Sequence, residues 1–227
     1  MIEKRKPGSL YIVAMPIGNE RDITLRALDV LNNADIIVCE EYREGSTALK
    51  KQGIVDKQII LLNEHNEAEQ TPELIKELFM GKNLALITDC GTPAFADPGA
   101  LLIQECSNFG VRVIPVPGAS SLTAAISLSP RPLNEFYFAG FLPKKDDSRR
   151  AHLVRLANLR VPIILMDTPY RLARLLQECA TVFGKNRMAT LAMDMTMPRE
   201  SVLHATLGEL VKQSGAKKAE FLLIVHI

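Results

Sequence analysis

Glycine, proline, hydroxyl and carboxyl groups gather in three short segments of the chain: Pro16-Ile17-Gly18-Asn19, Asp89-Cys90-Gly91-Thr92-Pro93-Ala94-Phe95-Ala96-Asp97-Pro98-Gly99, and Pro117-Gly118-Ala119-Ser120-Ser121. Glycine at 91 and 118 removes a side chain, so backbone can approach a ligand closely. Thr92, Ser120 and Ser121 offer hydroxyls. The free N–H groups of a helix beginning at Ser120 or Ser121 suit a polar ligand group such as a carboxylate, a role compatible with simple capping. Asp97 followed by Pro98 reads first as an N-cap with proline at the first helical position. Asp89 has two readings: it orders its loop by accepting backbone N–H bonds, or it faces a bound cation. No segment fits GxGxxG or GxxxxGK[ST], so nothing argues for NAD or ATP.

Other residues carry weaker signals. Glu40-Glu41-Tyr42-Arg43 pairs two acids with an arginine. That is either general-base machinery or a solvated loop with a surface ion pair. His65, His152, His204 and His226 are isolated, with no second histidine at metal-ligand spacing, so no metal is expected. Phe141-Leu142-Pro143-Lys144-Lys145, followed by Arg149-Arg150, is a basic stretch beside an aromatic ring. It suits contact with phosphates or a solvated helix start. Met188, Met193, Met195 and Met197 read first as core filler and strand-edge residues.

These segments need elements to hold them. Apolar runs predict strands at Leu10–Met15, Ala34–Cys39, Gln58–Leu62, Leu84–Thr88 and 111–116. Between them, helical spacing follows Asp22 as a cap, covers 46–52, starts again at Thr71-Pro72-Glu73, and runs over 98–109. Strand and helix alternate, and the strands are almost continuously apolar. This is the pattern of an α/β layer with a mainly parallel sheet. Each of the three loops falls at the C-terminal end of a predicted strand, where open α/β sheets bind ligands. Pro115-Val116-Pro117-Gly118 marks a boundary, giving domains 1–116 and 117–227. The second half predicts strands at 136–139, 162–166, 188–193, 201–205 and 220–226 and helices at 119–127, 148–159, 170–183 and 207–214. Successive strands there indicate a mixed sheet.

The chain has 227 residues, of which 47% are hydrophobic and 23% charged, a balance that can bury a core. Cys39, Cys90, Cys106 and Cys179 form no CxxC pair, which excludes a disulfide framework or cysteine zinc site and suits a reducing compartment. No apolar run approaches the ~20 residues of a membrane helix. Met1 to Lys6 lacks the apolar core of a signal peptide. A soluble, cytoplasmic protein without a membrane partner is expected. Residues 1–114 hold 12 Lys+Arg against 17 Asp+Glu, a balance of −5, while 115–227 hold 15 against 9, a balance of +6. Opposite halves attract each other or a dimer mate, or else the basic half attracts a polyanion while the acidic half tolerates a cation.

Taken together the segments resemble the tetrapyrrole methylase superfamily of S-adenosylmethionine-dependent methyltransferases, and within it the small-subunit ribosomal RNA methyltransferase I family. The likeness rests on Leu10 to Asn19 with Asp22 to Leu28, Thr88 to Pro93 with Asp97-Pro98-Gly99, Val116 to Ser121, Gly140 to Lys144, and Thr168-Pro169-Tyr170-Arg171-Leu172. It implies two α/β domains with S-adenosylmethionine in the cleft between them, usually in a homodimer. It also implies methylation of a cytidine ribose 2′-hydroxyl in ribosomal RNA. Pro16 and Gly18 would line the floor of the cofactor site, and Gly91, Thr92, Pro93, Ala94 and Phe95 would hold the cofactor. Asp89 would bind the cofactor beside that loop, Ser120 and Ser121 would contact it from the domain junction, and Met166 and Met193 would border the adenine. Glu40 would take the acceptor proton, with Arg43 or Lys144 orienting the acceptor. Family members carry Glu-Asp-Thr-Arg and then a basic, histidine-containing stretch after the second strand. Here Glu40-Glu41-Tyr42-Arg43-Glu44-Gly45-Ser46-Thr47 keeps Glu40 and Arg43 and loses the basic character. The ribosomal enzyme commonly continues into a further helical segment, whereas this sequence stops at Ile227. A tetrapyrrole or other small-molecule acceptor, and an inactive cofactor-binding protein, are the alternative readings.

Overall fold

The computed structural model describes residues 6–95, 97–214 and 217–226. The expectations for Met1 to Arg5, Ala96 and Ile227 lie outside the described residues. The chain divides into two compact units, Met1–Ser120 and Ser121–Ile227. The division falls a few residues beyond the junction read from the sequence.

In the first unit, β1 (Ser9–Val13), β2 (Ile36–Cys39), β3 (Gln58–Leu61), β4 (Leu84–Leu86) and β5 (Arg112–Val116) form one sheet in the order β3-β2-β4-β1-β5. All of its pairings are parallel, as the apolar strands predict. Strands buried on both faces need helices on both, and two apolar clusters flank the sheet. The helices are α1 (Leu25–Asn33), α2 (Tyr42–Lys51), α3 (Glu67–Phe79) and α4 (Ala100–Asn108).

Four helix starts in this unit differ from the sequence reading, and the first is α2, which begins at Tyr42, four residues before the expected Ser46. Asp22 lies in a 3-10 turn at Glu20–Asp22, and the cap of α1 is Thr24, whose hydroxyl accepts from the Ala27 N–H at 3.1 Å. Helix α3 begins at Glu67 and takes Pro72 into its interior. The added turn brings the Glu67 carboxylate to the start of α4, where its Oε1 accepts from the Gly99 and Leu101 N–H groups at 2.9 and 3.0 Å. That charge-assisted cap replaces Asp97. Gly99 is the residue at the cap position, at φ +121, and Asp97 instead accepts from the Thr88 hydroxyl at 2.8 Å.

The second unit holds α5 (Ser121–Ser127), β6 (Tyr137–Phe141), α6 (Asp146–Ala157), β7 (Ile163–Asp167), α7 (Leu172–Phe183), β8 (Met188–Met193), β9 (Ser201–Thr206), α8 (Leu207–Ser214) and β10 (Phe221–Val225). The sheet order is β6-β7-β10-β8-β9. Among the described residues only β6 and β7 pair in parallel, so the sheet is mixed. Leu153, Leu156, Leu172, Leu176, Leu207 and Leu210 from the helices close the core over one sheet face.

Candidate active site

A parallel sheet puts every strand's C-terminal end on one edge, so the loops after β1, β2, β3, β4 and β5 gather there. Three of them are bonded to one another. Met15 and Gly91 exchange two main-chain hydrogen bonds, 2.8 and 3.1 Å long. The Ala14 N–H donates to the Val116 carbonyl at 3.1 Å, and the Thr92 hydroxyl reaches the Ala119 carbonyl at 3.5 Å. Gly91 sits at φ +79 and Ala94 at φ +59, so this loop turns through the left-handed region. A β-carbon on Gly118 would stand 3.0 Å from that of Ala14. Bare backbone is therefore required where the first and third loops meet.

The structure thus brings Pro16, Gly18, Asp89, Gly91, Thr92, Pro93, Ala94, Phe95 and Ser120 to one edge of the first unit. Pro93 is buried, Pro16 and Ala94 are half-buried, and Gly18, Thr92 and Phe95 are exposed. Ser121 opens α5 in the second unit.

This edge is acidic. Burial first, then the charges of Asp89, Asp97, Glu41 and Glu64, raise the Glu40 carboxyl above its ordinary value. Burial first, then Glu44, Asp97 and Glu41, raise Asp89. Burial raises Asp97 against the hydrogen bond from Thr88. Among the described residues, no basic side chain forms an ion pair with Glu40, Asp89 or Asp97. Among the described residues Asp89 accepts no loop N–H, and its side chain is exposed. Cys39, beneath this edge, is held up at about 11 by burial and by Asp89 and Glu41, so its thiol stays protonated.

The ion-pair reading of Glu40-Glu41-Tyr42-Arg43 is not what forms. Arg43 lies exposed in α2 and makes no ion pair among the described residues. Glu41 occupies the N-cap of α2, and Glu40 is half-buried at the end of β2. Gly45 fixes this corner. A β-carbon there would lie 2.5 Å from Cys39 Sγ, so α2 packs directly on β2.

In the second unit the basic stretch divides. Arg149 is 2% exposed and does not reach solvent. Its guanidinium donates to both Glu178 carboxylate oxygens at 2.6 and 2.8 Å, to Asp146 at 2.9 Å, and to the Pro143 and Lys144 carbonyls. Arg174 closes the network onto Asp146 and Glu178. Arg149 therefore shapes the loop that presents Lys144, which is exposed. Arg171 donates to Asp167 at 2.7 Å and to the Leu142 carbonyl at 3.3 Å, holding the same loop from β7.

Met166 and Met193 do not share a surface. The register pairs Phe221 with both Met193 and Asp167, and Leu222 with both Met166 and Ala192. Because side chains alternate along a strand, the two methionines point to opposite faces. Met193 is 2% exposed inside the helix-covered core and is a packing residue. Met166 is half-buried on the other face. No cluster of His, Cys, Asp and Glu able to hold a metal occurs among the described residues.

Comparison with known proteins adds to this geometry. Residues 9–211 match the model of the family described as Tetrapyrrole (Corrin/Porphyrin) Methylases. The chain belongs to the tetrapyrrole methylase family. It is thereby an S-adenosylmethionine-dependent methyltransferase. It is 40% identical over 97% of its length to a Ribosomal RNA small subunit methyltransferase I of Xylella fastidiosa, covering 82% of that relative. It is 35% identical to the protein of that name from Leptospira biflexa, covering 100% of this chain and 94% of the relative. Among solved structures, it is similar to a Thermus thermophilus uroporphyrin-III C-methyltransferase complexed with S-adenosylhomocysteine. That match has a TM-score of 0.68 at 20% identity, over 96% of this chain and 97% of the other. A cobalt precorrin-4 methyltransferase matches with the same TM-score at 18% identity, over 96% and 94%.

The residues of this tetrapyrrole methylase fit the family cofactor. A sulfonium is a cation, and the strand-end edge is rich in carboxylates without paired cations among the described residues. Gly91 and Gly118 let the three loops pack closely at that edge. Sequence reasoning passed over Glu44 and Glu64, which add to this edge. Their signal was position: Glu44 lies one helical turn beyond Glu40, and Glu64 follows β3.

Proposed function

We propose that this methyltransferase methylates the ribose 2′-hydroxyl of a cytidine in small-subunit ribosomal RNA, acting in the cytoplasm as a homodimer. The observation that carries the acceptor is the 35–40% identity, over nearly the whole chain, to proteins named for small-subunit ribosomal RNA. The basic balance of the second half agrees with a polyanionic substrate.

When bound, S-adenosylmethionine supplies an electrophilic methyl group on a sulfonium. In this reading Pro16, Gly18 and the Gly91–Phe95 loop hold it, with Ser120, Ser121 and Met166 as further contacts. Asp89 offers negative charge to the cation. The chain's task is then alignment and proton removal. Glu40 is the base. A half-buried carboxylate whose proton affinity is raised by burial and by its acidic neighbours accepts a proton more readily than a solvated one. Arg43 and Lys144, both exposed, orient the acceptor through its phosphates.

The test is transfer of labelled methyl to 30S subunits, naked small-subunit RNA and extracted metabolites, with cofactor binding measured separately by calorimetry. Label in ribosomal ribose supports the proposal. Label only in a small molecule replaces the acceptor, and cofactor binding without transfer to any acceptor overturns the catalytic reading.

A further inference from the structure

The strand-end edge of the second unit that carries Asp167, Met193 and Phe221 has an opposite edge, where Val225 pairs with Ile163 and Ala189. At about 3.3 Å per residue, the strand β10 separates the two edges by roughly 15 Å. On this far edge the surface is concave and basic. A cavity of about 440 Å³ is lined by Arg131, Lys185, Asn186 and Arg187. A smaller chamber of about 70 Å³ adjoins it through Phe183 and Arg187, and is lined by Arg160 and His226. No carboxylate lines either space among the described residues. Arg160, Lys185 and Arg187 form no ion pair among the described residues. Arg160, Lys185 and Arg187 are exposed, and cations gathered on one concave face attract an anion.

The site is held in place from behind. The Leu207 and Gly208 N–H groups, at the start of α8, donate to the Arg187 and Lys185 carbonyls at 2.9 Å each. The Arg187 N–H closes the turn onto the Gly184 carbonyl at 3.0 Å. A β-carbon on Gly208 would meet Lys185 at 3.2 Å, so the turn and α8 are in direct contact. The backbone that carries Lys185 and Arg187 is therefore fixed.

His226 supplies a second, independent observation. It is 4% exposed, and its Nδ1 is buried without a hydrogen-bond partner. Its Nε2 lies 2.9 Å from the Thr190 hydroxyl, whose oxygen is also 3.0 Å from His204 Nδ1. A hydroxyl has one proton. When Thr190 accepts from His204 and donates to His226 Nε2, the neutral His226 ring carries its proton on Nδ1. When Thr190 instead donates to His204, Nδ1 is an acceptor; in both tautomers it is a buried polar atom without a partner, on a ring that lines the smaller chamber.

We propose that Arg131, Arg160, Lys185, Asn186, Arg187 and His226 form a phosphate-binding site built wholly from the second unit. The ligand is a phosphate group, carried either by an RNA backbone segment or by a free phosphate or nucleotide.

The test compares the wild-type protein with a Lys185→Gln, Arg187→Gln double variant. One arm measures binding of a small-subunit ribosomal RNA fragment across a series of salt concentrations. The other adds inorganic phosphate and adenosine monophosphate while the His226 ring nitrogens are followed by NMR. If the backbone of RNA is the ligand, the variant binds the fragment about tenfold more weakly, and its log–log salt slope is shallower by roughly 1.5–2. If a free phosphate is the ligand, phosphate or the nucleotide shifts His226 in the wild type and not in the variant. Cofactor affinity and melting temperature stay unchanged in either case, which separates this site from the methyl-transfer reading. Arg160→Gln, on a different segment, gives the same direction and guards against a local folding defect. An unchanged salt slope together with no His226 response to either phosphate probe overturns the proposal.

Discussion

Gly45 of α2 lies so close to Cys39 of β2 that an added β-carbon would stand 2.5 Å from Sγ and 3.1 Å from Cβ. Both residues are buried, and Glu40 follows Cys39 directly. The position of the proposed base therefore depends on a glycine one helical turn away. Gly45→Val should destabilise the fold by about 1–3 kcal/mol through overpacking and reduce methyl transfer at the same time. Cys39→Ala in the same chain should restore part of both. Chemical denaturation and transfer assays of the single and double variants check this.

Glu40→Gln should slow methyl transfer by about 10²-fold or more, the usual scale for a lost general base, with cofactor affinity within about twofold. In the wild type, the acid limb of the rate profile should lie above the ordinary glutamate value of 4.5, because burial and neighbouring carboxylates hold the Glu40 proton more tightly. A pH–rate profile and calorimetry with the cofactor supply both readings. Turnover unchanged in the variant removes Glu40 from the chemistry.

The acidic edge also predicts how stability responds to pH without cofactor. Glu40, Asp89 and Asp97 have folded-state values above their ordinary 4.5 and 3.8. Between the ordinary and the raised values, the native state binds more protons than the unfolded one. Stability contributed by these groups therefore rises as pH falls through the raised values, and the penalty is complete above them. Asp89→Asn should raise the melting temperature at neutral pH slightly, by about a degree given solvent screening. It should also weaken cofactor binding. A fall in melting temperature would mean the carboxylate is paired in solution.

Arg149 offers a separate check on the second unit. Removing its charge while leaving Glu178 and Asp146 should cost about 3–5 kcal/mol, as for other broken buried pairs. Arg149→Met should also loosen the loop carrying Lys144, because two of its carbonyls lose their donor. Adding Glu178→Leu should recover much of the stability and none of the loop order. Denaturation curves and amide exchange over Phe141 to Lys145 distinguish the two effects.

Local pattern was enough for the strands and for the change from a parallel to a mixed sheet. Runs such as Ile36 to Cys39 and Phe221 to Val225 are apolar at every position, and that property needs no partner to be read. The glycine and hydroxyl loops were legible for the same reason. What the sequence could not supply were facts about neighbours distant along the chain. Asp97 before Pro98 has the form of a cap, yet Glu67 performs the task from another helix. Arg149 looks like one of a row of surface cations, and only the fold brings Glu178 to it. Met166 and Met193 both lie near strand ends, but their faces depend on register with β10, which has no local signature.

The cross-bonds joining Ala14 to Val116, Met15 to Gly91 and Thr92 to Ala119 make the strand-end loops of the first unit a rigid jig instead of a hinged flap. Little chain freedom remains for an arriving molecule to extinguish, so its shape is judged on arrival rather than after closure. A change at any stitch is then transmitted to all three segments at once.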